Sequence, residues 1–146
     1  LLLDPLMLGL VWLEMPLLLD PLMLGLVWQE LDALGLKNST LVVVHSDHGW
    51  QLGEHGVWDK QTEFEGATRI PLIIRAPWLL NSVGKHTAAF VELVDLHPTL
   101  AELAGLPHTP PTALPPSVRE QAAGRSFASL FDNPAAATAA SGKVMP

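Results

Sequence analysis

Residues 40–44 read Thr-Leu-Val-Val-Val, and the next six are His45-Ser46-Asp47-His48-Gly49-Trp50. A compact run rich in β-branched residues and bounded by turn residues is the signature of a strand covered on both faces. The segment leaving its carboxyl end is polar, and its side chains can bind cations, move protons or face anions. In open α/β sheets, ligand sites lie outside the carboxyl ends of the strands. This juxtaposition therefore constrains the chain more than any other feature: it calls for a layered α/β sheet with a site at the end of strand 40–44.

The flanking patterns agree with that class. Leu26, Val27, Leu31 and Leu34 recur at helical spacing within residues 26–34, and Gly35 supplies a left-handed cap. A second apolar run, 70–74, reads as a strand, with Pro71 near its start, where a missing N–H costs least. Residues 95–104 read as a short helix with Asp95 as N-cap, Pro98 in the first turn and Gly105 at its end. Residues 107–116 hold five prolines and are expected to form an extended loop, and Ser117 and Glu120 have capping-box spacing for one more short helix. After Asp132 the tail is rich in Ala, Pro and Ser, so a flexible segment 132–146 is expected.

The start of the chain is different. Residues 1–12 recur identically at 17–28, and residues 1–36 hold 16 Leu, five acids and no Lys or Arg. Two copies fall short of a solenoid. Asp4, Glu14 and Asp20 break the apolar run, and Pro5, Pro16 and Pro21 interrupt helix, so no stretch reaches the roughly 18–20 residues a membrane span needs. A basic n-region and a small-residue cleavage site, the marks of a signal peptide, are lacking. Residues 1–25 are open to three readings: a duplicated or mistranslated stretch without structural meaning, a Leu-rich buried helix pair, or a membrane-surface segment. Acidic polar positions suit the last poorly. The chain starts Leu1-Leu2-Leu3, as a piece of a longer chain would. Net charge is −7 with eight Lys and Arg and no basic block, which argues against a nucleic-acid partner. Cysteine is absent, so disulfides, thiolate metal sites and a Cys nucleophile are excluded within the 146 residues.

The candidate chemistry lies between His45 and Lys60. Asp47 offers a hard carboxylate oxygen suited to Ca²⁺ or Mg²⁺. His48 offers an imidazole, as a metal ligand or as a cation facing an anion. Gly49 permits tight backbone geometry beside them. Lys60 offers a mobile ammonium suited to sulfate or phosphate. On spacing alone two other readings remain: a solvated surface loop, or a zinc site from His45, His48 and His55, although no HExxH pattern supports zinc.

Residues 41–77 (LVVVHSDHGWQLGEHGVWDKQTEFEGATRIPLIIRAP) resemble the sulfatases of the alkaline-phosphatase-like superfamily, in particular the iduronate-2-sulfatase-like group. That group shows a strand, then SDHGW.LGEHG.W.K, then an A-T-x-x-P-L-I strand entry. Residues 91–107 (VELVDLHPTLAELAGLP) resemble the family's V.L.DL.PTL..LAGL helix, and residues 124–130 (GRSFASL) resemble its G.SL..LL element. The resemblance spans residues 26–131 and implies part of an alkaline-phosphatase-like α/β catalytic domain, a layered sheet with flanking helices. It implies that Asp47 binds the divalent cation, Ca²⁺ in this family. His48 would sit beside cation and sulfate oxygens as metal ligand or hydrogen-bond donor, and Lys60 would bind sulfate and neutralise transition-state charge. The implied substrate is a sulfated sugar or polysaccharide, and the implied compartment is lysosomal, secreted or periplasmic.

Glu54 and His55 are expected to order the loop, with direct substrate contact as the alternative, and Trp50 and Trp58 to pack against it, with a sugar-facing wall as the alternative for the two indoles. Arg69 is open between a salt bridge and substrate contact. A sulfatase also needs a Cys or Ser in a C/S-x-P-x-R context, oxidised to formylglycine, whose hydrated aldehyde is the nucleophile. No Ser here has that context, and the family's N-terminal Asp-Asp pair has no convincing counterpart in Asp4 or Asp20. The chain is therefore expected to be the C-terminal part of a sulfatase catalytic domain and inactive alone. The alternatives are a phosphonate or phosphodiester hydrolase of the same superfamily, and a non-catalytic truncated remnant.

Overall fold

The computed structural model describes residues 10–14, 21–106 and 124–134, with side chains from Met23 onward. The proline-rich loop 107–116 and the helix expected near Ser117 lie outside the described residues, as does most of the tail. The chain divides into two compact units, Leu1–Pro77 and Trp78–Pro146.

The first unit is built on a three-stranded sheet in the order β1-β2-β5, with β1 at Leu10–Glu14, β2 at Leu41–His45 and β5 at Leu72–Arg75. Helix α1, Pro21–Ala33, connects β1 to β2, which pair in parallel with Leu10 opposite Leu41 and Glu14 opposite His45. Strand β5 closes antiparallel on the other side of β2, with Val42 opposite Arg75 and His45 opposite Leu72. With both edges paired, β2 is the centre of the sheet. Leu41 and Val43 are buried on one face and Val42 and Val44 half-buried on the other, which is what β-branched residues between two layers provide. Pro71 immediately precedes β5, so no ladder bond is lost to it.

Strand β1 lies inside the duplicated Leu-rich stretch, and α1 starts at Pro21, five residues before the helix expected at 26–34. Pro21 occupies a first-turn position, where its missing N–H is unneeded and its fixed φ helps. The C-terminus of α1 closes as anticipated. Gly35 has φ 69°, and the Leu36 amide donates back to the Leu31 carbonyl at 2.8 Å, the long bond of a Schellman motif. The apolar stripe is only partly used: Leu31 is buried, but Leu26 and Leu34 are exposed. A helix that is apolar nearly all round cannot turn every apolar side chain to one narrow sheet. The helix is tied to β5 by Trp28, whose ring lies 4.7 Å from the Arg75 guanidinium and 5.3 Å from the Lys37 ammonium, while Arg75 also donates to the Lys37 carbonyl. No helix among the described residues is long and apolar enough to cross a membrane.

In the second unit a 3₁₀ turn at Leu93–Asp95 leads into α3, Leu96–Leu103, and Gly105 ends it at φ 66°. Asp95 was expected to cap α3 with its side chain, and the structure corrects this. Its carboxylate instead accepts from the Glu92 amide at 3.1 Å and from the Arg125 amide at 2.8 Å. Its carbonyl accepts from the Thr99 hydroxyl at 2.6 Å, and that hydroxyl accepts from the Phe127 amide at 3.0 Å. Asp95 and Thr99, both buried, thus staple the segment at 124–127 to the start of α3. The approach is so close that a Cβ at Gly124 would stand 1.9 Å from the Val94 carbonyl oxygen.

Two changes test this staple. Asp95→Ala leaves two backbone donors without acceptors, and Gly124→Ala forces the segments apart. Each is expected to cost about 1–3 kcal/mol of local stability, read as lost hydrogen-exchange protection at Arg125 and Phe127. Unchanged protection in both variants would show that the staple is not what holds residues 124–127.

Candidate functional site

The site is assembled by the chain that leaves β2. His45, the last residue of the strand, is buried, and its Nδ1 lies 2.9 Å from the Ser46 carbonyl. Ser46 donates to the His48 carbonyl at 2.6 Å, and Asp47 Oδ1 accepts from the His48 amide at 2.9 Å. These short-range bonds fold Ser46–His48 into a tight turn of a kind that short polar side chains favour. Gly49 then passes against helix α2, Glu65–Thr68. Its amide donates to the Ala67 carbonyl at 2.7 Å, and a Cβ on it would stand 2.1 Å from the Gly66 carbonyl oxygen. Any side chain at 49 would drive the loop off α2.

Beyond Gly49 a small hairpin forms, β3 at Gln51–Leu52 and β4 at Trp58–Asp59, with Gln51 opposite Asp59. Gln51 is buried, packed beside Gly66, where a Cβ would stand 3.1 Å from its Cγ. The tip of the hairpin is ordered from within. Glu54 accepts from the Leu52 amide at 2.6 Å, and the His55 ring stacks on Phe64 at 4.2 Å. The loop-ordering expectation for Glu54 and His55 is what the geometry displays. Trp58 covers Gly53 with one edge of its indole yet stays two-thirds exposed, and the Trp50 ring centre is 6.4 Å from that of His48. Arg69 pairs with Glu65 at 3.5 Å on an exposed face.

The hairpin returns Lys60 to the start of the loop. Lys60 Nζ lies 2.7 Å from His48 Nε2, and Asp47 Oδ2 lies 3.4 Å from the same nitrogen. The three residues singled out by sequence, Asp47, His48 and Lys60, therefore meet at one place although Lys60 is twelve positions from His48. The hydrogen-bond network assigns the ring's state. His48 Nδ1 faces the Gly49 carbonyl at 2.8 Å and must carry a proton to bond there. Nε2 is then left to accept from the Lys60 ammonium, and on taking a second proton it becomes an ion-pair partner of Asp47. Partial desolvation pushes the Asp47 carboxyl up. The His48 amide, the His48 ring, its own amide and Lys60 together outweigh that and hold it below the usual carboxylate range. Glu54 is also held low, first by the Leu52 amide.

Chemically the cluster has two ends. Lys60, braced on His48 Nε2, presents an ammonium that suits a tetrahedral oxyanion. Asp47 Oδ2, the carboxylate oxygen not engaged by the His48 amide, is a hard donor for a divalent cation. Such a cation takes six to eight oxygens, and among the described residues no three His, Cys, Asp or Glu side chains converge on one point. The donor type therefore fits a divalent cation, and Asp47 would supply one oxygen of its shell. Gly66, Gln51, Asp59 and Thr62, which shape the loop, carry no sequence signal except that Gly-Ala opens the A-T element.

Residues 23–106 match the family model described as Sulfatase, more than half of the chain. The chain belongs to the sulfatase family. It is 41% identical over 110 residues to iduronate 2-sulfatase of Homo sapiens, covering 60% of this chain and 20% of that protein. It is 45% identical over 69 residues to choline-sulfatase of Rhizobium meliloti, covering 47% and 13%. Among solved structures, one in complex with its substrate D-glucosamine-2-N,6-O-disulfate superposes with TM-score 0.62 at 32% identity, covering 76% of this chain and 20% of the other. The phosphonate monoester hydrolase of Agrobacterium radiobacter superposes with TM-score 0.63 at 27% identity, with the same coverage. The fold is thus α/β of the alkaline-phosphatase-like class, and the chain spans about a fifth of the length of the iduronate 2-sulfatases it matches.

The loop makes its own predictions. Gly49→Ala is expected to cost about 1–3 kcal/mol of local stability, seen as lost exchange protection of the residue 49 amide, with β2 protected as before. The carboxyls of Asp47 and Glu54 lie lower in the folded loop than in an unfolded chain. The stability they contribute is therefore present above the ordinary carboxylate range and is lost as pH falls through the folded values. Protection of the Leu52 and His48 amides should hold from neutral pH down to that range and decline only below it. A decline centred near neutrality would contradict the assignment.

Proposed function

We propose that this chain supplies the cation- and sulfate-binding part of a sulfuric ester hydrolase acting on a sulfated sugar. The observation that carries the reading is the convergence of Asp47, His48 and Lys60, with Lys60 Nζ 2.7 Å from His48 Nε2, in a chain of the sulfatase family. The similarity to iduronate 2-sulfatase and to the structure in complex with D-glucosamine-2-N,6-O-disulfate supports a sulfated sugar as substrate. Lys60 places a positive charge where the oxygens of a sulfuryl group gather negative charge during transfer. His48, with Nδ1 fixed on the Gly49 carbonyl, accepts from Lys60 at Nε2 and so holds the ammonium toward those oxygens. Asp47 contributes Oδ2 to a divalent cation, Ca²⁺ in this reading, which when bound polarises the sulfate ester. The 146 residues hold no Cys and no Ser in the formylglycine context, so the chain by itself is expected to turn over no sulfate ester.

A second reading, hydrolysis of a phosphonate or phosphodiester, is favoured by the superposition on phosphonate monoester hydrolases. Nuclear magnetic resonance titration of the chain with inorganic sulfate and with methylphosphonate separates the two: tighter sulfate binding supports the first, tighter phosphonate binding the second. Lys60→Met is expected to weaken sulfate binding by about tenfold or more, as loss of a charged hydrogen bond does. Asp47→Ala is expected to abolish what Ca²⁺ binding the chain shows. Sulfate affinity indifferent to Lys60→Met would refute the assignment, and turnover of 4-methylumbelliferyl sulfate by the purified chain would refute its dependence on a nucleophile from elsewhere.

A further inference from the structure

We propose that Asp59 is a positioning residue for Lys60: its left-handed backbone is what aims the ammonium at His48. The inference rests on the reading of Lys60 as the anion-binding group. Among the described residues only His55 and Asp59 are non-glycines at positive φ, 58° and 86°. Residues other than glycine adopt such angles at a cost, Asp and Asn more readily than most, and the cost persists where the surroundings impose it. The His55 ring is stacked on Phe64. Asp59 stands directly before Lys60.

What surrounds Asp59 explains how the conformation is held. Its backbone is paired to Gln51 in the β3–β4 hairpin, and Gln51 is buried against Gly66. Its Oδ1 accepts from the Lys60 amide at 2.6 Å. On the other side the Lys60 carbonyl accepts from the Thr62 amide at 2.8 Å, and the Thr62 hydroxyl accepts from the Phe64 amide at 3.1 Å, just before α2. The backbone of Lys60 is thus clamped before and after, between the hairpin and α2. An extended residue 59 would continue strand β4 and carry Lys60 along its axis. The reversed φ turns the chain out of the strand, and from that turn Nζ reaches His48. A long lysine side chain has many rotamers, and fixing its stem limits the freedom lost when it meets an anion.

The test compares Asp59→Gly and Asp59→Asn, which tolerate the left-handed conformation, with Asp59→Val, which does not, and uses Lys60→Met as the control that removes the ammonium. The readouts are the nuclear Overhauser effect between the Lys60 ε-methylene and the His48 ring, and the dissociation constant for inorganic sulfate. The Gly and Asn variants are expected to keep the effect and to bind sulfate within about twofold of the parent chain, whereas Asp59→Val loses the effect and binds about tenfold or more weakly. Protection of the Gly49 amide shows that the loop is still folded, and if Asp59→Val loses that protection, Asp59→Ala takes its place in the comparison. The proposal is overturned if the Val or Ala variant keeps the Lys60–His48 contact, or if Asp59→Gly loses it. A parent chain that shows the contact but binds no sulfate refutes the anion-binding reading, and the contact alone then decides the role of Asp59.

Discussion

Where Gly49 runs against Gly66, two stretches of backbone approach so closely that neither the loop nor the one-turn helix could lie where it does if residue 49 carried a Cβ. The Gly49 amide uses that proximity to bond the Ala67 carbonyl. Everything chemical is arranged around this crossing. On one side Asp47 and His48 are held in their turn, with the His48 ring fixed by the carbonyl of Gly49 itself. On the other, α2 forms the base on which Gln51 packs and from which the Lys60 turn is braced. A strand end can present polar residues anywhere in solvent. The crossing makes those residues face a particular partner twelve positions away.

The second unit solves a similar problem with a carboxylate instead of a close glycine pair, although Gly124 is needed there as well. Buried Asp95 accepts from two backbone amides, and Thr99 relays the connection to Phe127. A buried carboxylate is tolerable because its oxygens find donors, and the donors, being main-chain amides, are indifferent to the identity of the side chains around them. This accounts for why the elements at residues 91–107 and 124–130, separated by a long proline-rich stretch, belong together: one supplies acceptors, the other supplies the amides.

Much of the first unit was legible because its determinants are local. The β-branched run at 40–44 could only be a well-covered strand, and its observed bounds differ by one residue. Gly35 and Gly105 end their helices at positive φ because no other residue does so freely. Strand β1 was not legible, since it lies in a Leu-rich stretch whose composition is equally compatible with helix, and only its pairing with β2 distinguishes them. The role of Asp95 is hidden from the sequence for a related reason. An Asp before a helix has the signature of a cap, and nothing near it in sequence reveals an amide thirty residues later.

For the site, the sequence by itself determined which groups are available: a carboxylate, an imidazole and an ammonium at spacings that resemble those of the sulfatases. Those are covalent facts of residue type and order. Only the tertiary structure decided that the three meet, that the His48 ring turns Nε2 toward Lys60, and that Asp59, directly before Lys60, adopts a left-handed angle. The physical reason is that each depends on groups far apart in the chain. Packing of Gln51 beside Gly66 and hydrogen bonds across the hairpin outweigh the intrinsic preference of residue 59, and local sequence carries no record of which of those forces wins.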